Sequence, residues 1–151
     1  MPLSRDELVD VLNDLLETCY DGLDGFRLAA SSIERSEAII LFQSRAQRID
    51  EAAAELYTAI RRLGGHPAEH GHRQAVLHRG WMHLRVVAAQ RTTDALLAEV
   101  ERGEEEAVRR YRHALGKELP EDLHDLVADQ LQGAEESLKQ VHELRQTGPH
   151  P

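Results

Sequence analysis

Cys19 is the only cysteine in 151 residues, so no disulfide can close within the chain, and a reducing, cytoplasmic setting is expected. Aromatic side chains make up only 4% of the sequence, and glycine and proline together number 15. That poverty argues against a sandwich or barrel, which needs many turns and β-formers. No apolar run approaches the roughly 20 residues of a membrane span. The opening stretch MPLSRDELVD has neither a basic region nor an apolar segment, so no secretion signal is expected. Basic side chains are in deficit, 18 against 27 acidic, for a formal charge of −9. Nucleic acid and anionic membranes are therefore poor general partners, because phosphate contacts need local positive charge. A glycine-rich phosphate loop, a nucleophile elbow and zinc-finger spacing are all missing.

What is abundant is helix former. Hydrophobic residues make up 41% and charged residues 30%, enough to bury a core and too apolar for disorder. Ser4 and Glu7 form a capping-box pair that predicts the start of a first helix, about 5–32. Its apolar seam runs Leu8, Leu12, Leu15, Cys19, Gly22, Phe26, Ala29, Ile33, in alternating steps of 4 and 3. Glycines at 22 and 25 predict a close approach by another helix, or a bend. A second helix, 36–63, carries the seam Ile39, Phe42, Ala46, Ile49, Ala53, Leu56, Ile60, Leu63, and Gly64-Gly65 should stop it. The short link makes these two an antiparallel hairpin. Residues 66–93 are too many for a tight turn and read as a crossover, helical from about 74 to 89, with Leu77, Trp81 and Leu84 packing it onto the bundle. A third long helix follows at 94–115, with Gly116 at its end. A fourth begins at Pro120 and runs to about 146. Two hairpins joined by one long crossover describe an all-α, ferritin-like four-helix bundle in a single domain.

Several segments carry a family resemblance. They are Leu16-Glu17-Thr18-Cys19-Tyr20-Asp21-Gly22 with Gly25-Phe26, Ala54-Glu55-Leu56 with Arg62-Leu63-Gly64-Gly65, His78-Arg79-Gly80-Trp81-Met82, and Glu101-Arg102-Gly103-Glu104 with Tyr111 and Ala114-Leu115. Together they resemble a bacterial ferritin-like family of four-helix-bundle proteins, a domain of unknown function, over nearly the whole chain. The resemblance implies the fold, a homodimer and a stress setting, and no settled activity. Where the family pattern places a histidine near the middle of the last helix, this chain has Leu138.

A ferritin-like bundle raises the question of a di-iron centre. Such a centre takes one Glu from each of two helices and a Glu-x-x-His from each of the other two, all pointing inward. Glu17 and Glu51 are 34 residues apart, as are Glu101 and Glu135. Helical phase opposes the idea. Glu17 and Glu51 fall at outermost f positions and Glu101 at e, while Glu51-x-x-Ala54 and Glu135-x-x-Leu138 lack the imidazole. The true Glu-x-x-His pairs, Glu69/His72 and Glu121/His124, lie away from any bundle centre. Glu104 alone sits on a seam, between Val100 and Ala107, near Cys19, Gly22, and Gln130 or Ser137 by layer. It is either a remaining ligand for iron, manganese or zinc, or a satisfied polar layer that fixes register; the second is preferred.

Other features have bland and functional readings. His66, His70 and His72, with Glu69 among them, are a solvated loop or a surface Zn²⁺ or Cu²⁺ site. In His78-Arg79-Gly80-Trp81, Trp81 pins the crossover while His78 and Arg79 bond Glu101 or Glu104, or Arg79 clamps a carboxylate or phosphate. Cys19 reads as a small buried hydrophobe and Tyr111 as core. The favoured function is association, as a homodimer or with a protein partner, with no cofactor and no catalytic residue. The alternative is a metal-binding or oxidase relative with a reduced site around Glu104.

Overall fold

Ser4 starts the first helix through two reciprocal bonds. Its Oγ accepts from the Glu7 backbone N–H at 3.2 Å, and its own N–H donates to Glu7 Oε1 at 3.1 Å. The computed structural model describes residues 2–70, 80–90 and 92–147. Among these residues it is all α, with α1 Arg5–Ser32, α2 Ser36–Arg62, α3 Leu84–Gln90, α4 Thr93–Leu115 and α5 Glu121–Thr147. The four long helices lie where the periodicity puts them. Gly64 ends α2 at a φ of 80°, a left-handed turn that costs glycine nothing. Pro120 stands one residue outside α5, and its carbonyl accepts the first helical bond from His124 N–H at 2.8 Å.

α1 and α2 form one hairpin, and α4 and α5 the other. Contacts across the remaining faces fix the directions. Asp14 pairs with Arg110 near one end of α1, while Gly25 and Gly103 share a neighbour further along, so α1 and α4 run antiparallel. Arg35 reaches the Leu144 carbonyl and Gln130 the Ala52 carbonyl, so α2 and α5 also run antiparallel. Every neighbouring pair is thus antiparallel, and α2 is parallel to its diagonal, α4. The chain segment 66–92 carries the chain from the end of α2 back to the start of α4. Leu12, Leu15, Leu16, Phe26, Phe42, Leu56, Ile60 and Leu97 fill the interior. The α2–α5 face is the most loosely packed of the four.

The crossover differs from expectation. The periodicity predicts a helix through 74–89, but the described helix starts only at Leu84. Gly80 has a φ of 94°, which no right-handed helix contains, so Trp81 precedes the helix. Residues 74–79, with Leu77, lie outside the described residues. Trp81 is 2% exposed and enters a slot between α1 and α4. A Cβ on Gly25 would lie 2.3 Å from its ring, and one on Gly103 2.1 Å. The neighbour that Gly25 admits is therefore an indole, not a helix. The ring meets Phe26 edge-on, with centroids 5.1 Å apart. α3 then packs across α1 and α4.

Candidate functional site

Glu104 lies at the centre of the bundle and is 1% exposed. A carboxylate there needs a compensating charge, and Arg45 on the diagonal helix α2 supplies it. Arg45 Nε donates to Glu104 Oε2 at 2.9 Å and Nη2 to Oε1 at 3.0 Å, a two-pronged pairing that occupies both oxygens. Burial pulls the guanidinium down, but the facing carboxylate outweighs it and holds the Arg45 pKa above its ordinary value. The expected partners of Glu104, His78 and Arg79, lie outside the described residues, and the acid's observed partner is Arg45. Glu101 is held from α5. Its oxygens accept from His142 Nδ1 at 2.9 Å and from Arg145 Nη1, both on α5. Burial pushes the Glu101 carboxyl up, but these hydrogen bonds and charges overcome that and leave it lowered.

One turn pair beyond Glu104, a chain of polar contacts ties all four long helices together. The Tyr111 hydroxyl donates to Gln130 Oε1 at 2.8 Å, and Gln130 Nε2 donates to the Ala52 carbonyl at 3.1 Å. With the tyrosine proton used on Gln130, the Cys19 thiol is left to donate to the tyrosine oxygen, 3.4 Å away. Burial pushes the Cys19 thiol up to about 11, and burial also raises Tyr111 well above its ordinary value. Neither group ionises near neutrality, so the relay is a neutral crosslink. Gln130 thus satisfies Tyr111, one layer away from Glu104.

A cavity of about 290 Å³ adjoins these groups. Its inner wall is Cys19, Gly22, Glu104 and Tyr111, from α1 and α4, while its mouth carries the exposed Arg48, Glu51 and Asp129 from α2 and α5. It therefore opens through the loosely packed α2–α5 seam. A second groove, lined by Leu41, Ser137 and Glu136 among others, continues from it and shares Arg45, Arg48, Asp129 and Gly133.

These residues do not fit a dinuclear metal centre. Both Glu104 oxygens are engaged by a fixed cation, which repels a second one. Glu51 is exposed and accepts from Gln47 Nε2 at 3.3 Å, Glu101 belongs to the α4–α5 face, and Glu135 pairs with Arg112 at 2.7 Å. Glu17 is half-buried on α1. Among the described residues, no three His, Cys, Asp or Glu side chains are grouped to hold an ion.

The described part of the histidine segment is tied to α1. Residues 66–70 run along α1 as a strap. Asn13 Nδ2 donates to the His66 carbonyl at 3.0 Å, Asn13 Oδ1 accepts from the Ala68 N–H at 2.8 Å, and the Tyr20 hydroxyl donates to the Ala68 carbonyl at 2.9 Å. His70 stacks on Tyr20 at 4.7 Å, and its Nε2 is 2.7 Å from Asp24 Oδ1. His66 therefore contributes its backbone and His70 faces a carboxylate. His72 lies outside the described residues.

Sequence reasoning missed Arg45, Asn13 and Asp24. Arg45 occupies a g position beside the α2 seam, where long charged side chains usually face water. A signal existed. The hairpin registers Phe42 with Phe26 and Ile49 with Gly22, which places Arg45 in the layer between them. Gly25 and Gly103 meet at Trp81, so Glu104 falls in that same layer. A profile of a protein family described as a domain of unknown function, DUF2383, matches residues 7–117. No curated protein matches the chain.

Proposed function

The chain belongs to the DUF2383 family, and on that footing we propose that it is a ferritin-like bundle that acts by association and not through a metal centre. The topology supports the ferritin-like reading: two hairpins, one long crossover, and antiparallel contacts on all four faces. The observation that carries the functional reading is the Arg45–Glu104 pair. It puts a permanent guanidinium against a carboxylate buried at the bundle's centre. The charge of Glu104 is balanced without an ion, and both of its oxygens are taken.

Association is supported by the outer side of the crossover. Met82, just before α3, is 67% exposed, and Val86, within it, is 63% exposed. A twofold dimer places one patch against its own copy, so these two side chains would meet their counterparts at its centre. A homodimer through this patch is the expected state. Sedimentation should give twice the chain mass of 17.0 kDa, and Val86→Lys should return the monomer with unchanged helicity. A wild-type monomer at micromolar concentration contradicts the dimer. A dimer indifferent to Val86→Lys relocates the contact away from α3.

A further inference from the structure

We propose that the α2–α5 seam binds a small zwitterion of the α-amino-acid class, with the carboxylate on Arg45 and Arg48 and the ammonium group on Asp129. Arg45 spends Nε and Nη2 on Glu104, and among the described residues Nη1 has no acceptor. The side chain is only 11% exposed, so this free edge is held in place. A Cβ on Gly133 would stand 3.5 Å from Nη1; the glycine leaves that edge open to the seam. Arg48 lies three residues further on, on the same side of α2, and makes no ion pair among the described residues. Two guanidinium groups one turn apart, one fixed and one adaptable, match the two oxygens of a carboxylate.

The opposite charge is also present. Asp129, on α5, lines the same two cavities as Arg48, yet among the described residues neither has an ion-pair partner, including each other. Glu136 adds a second acid to the adjoining groove. A simple anion would meet these acids, and a simple cation would meet the arginines. A molecule carrying both charges a few bonds apart satisfies both sides. Ser137 adds to the case: it borders the groove, its Oγ is buried, and that oxygen has no hydrogen-bond partner. The cavity of about 290 Å³ is sized for a small metabolite. This inference requires neither the dimer nor the absence of metal.

The test uses the intact chain, titrated with single free L-amino acids and followed by backbone amide shifts. For any amino acid that binds, the matched amine lacking the carboxylate and the matched acid lacking the amine are titrated alongside. The expected result is saturable binding, with shifts at Arg45, Arg48, Asp129 and Gly133, and binding at least about tenfold weaker for each half-molecule. Arg48→Gln and Asp129→Asn, both at exposed positions, should each weaken binding about tenfold and leave the unfolding midpoint unchanged. Gly133→Leu should abolish it by covering Nη1. Saturation by none of the amino acids overturns the proposal. Equal binding of a half-molecule overturns the zwitterion class, and unaltered affinity in Gly133→Leu overturns the site.

Discussion

Replacing Arg45 with methionine keeps most of the side-chain volume and removes the guanidinium, which leaves Glu104 buried at 1% exposure with no partner on either oxygen. Breaking a buried ion pair from one side costs about 3–5 kcal/mol, because the remaining charge is stranded. At about 2–4 °C per kcal/mol for a chain of this size, the midpoint should fall by about 6–20 °C. Removing both charges should behave differently. Arg45→Met with Glu104→Leu fills the same space with apolar atoms and should recover most of the loss, to within about 1 kcal/mol of the parent or above it. Glu104→Leu alone should cost less than Arg45→Met, since Arg45 keeps an open edge toward the seam. Urea unfolding followed by far-ultraviolet circular dichroism on all four proteins gives the cycle, with equal slopes as the check on two-state behaviour. A loss below about 1 kcal/mol for Arg45→Met would refute the claim that this pair is a desolvated, mutually dependent unit. So would a double variant no better than that single one.

Gly103→Ala should drive Trp81 out of its slot, since the new Cβ would stand 2.1 Å from the ring. Trp81 is the only tryptophan, so its emission should shift to the red, with a loss of about 3–5 kcal/mol comparable to emptying an aromatic site; unshifted emission contradicts the slot. Cys19, with its thiol pushed up to about 11 and buried, should resist a thiol reagent at pH 8 in the native protein and react at once in urea. Prompt native labelling would show the relay to be open. Glu101 is lowered in the folded state, so its stabilisation is complete above the unfolded carboxyl value of about 4.3 and is lost as pH falls through the folded value. Glu101→Gln should therefore flatten part of the acid limb of stability against pH, and an identical acid limb would deny Glu101 that role.

Helices were legible wherever a seam repeats in steps of 3 and 4, because burial of one stripe is what makes such a segment helical. The capping box at Ser4 and the stop at Gly64 were legible for the same kind of local reason. The crossover was less so. Its apolar spacing suits a helix, and the left-handed turn at Gly80, close against Gly103 and Glu106, keeps Trp81 out of one. At the site, Glu104 stood out as an acid on an apolar seam, but its partner did not. A guanidinium reaching from a g position on a diagonal helix leaves no periodic trace, and neither does the reach of Arg145 to Glu101. The strap over α1 was illegible because its bonds run from Asn13 and Tyr20 to backbone atoms, which carry no residue-type signature.

Elemental analysis of protein grown in medium supplemented with iron, manganese and zinc, then passed through a chelating column, addresses the bundle centre directly. If Arg45 supplies the positive charge there, metal content should be far below one ion per chain and should not change in Glu104→Gln. A stoichiometric ion that survives the column and disappears in Glu104→Gln would mean that the carboxylate serves a metal and that the guanidinium pairing is not the working state of the protein.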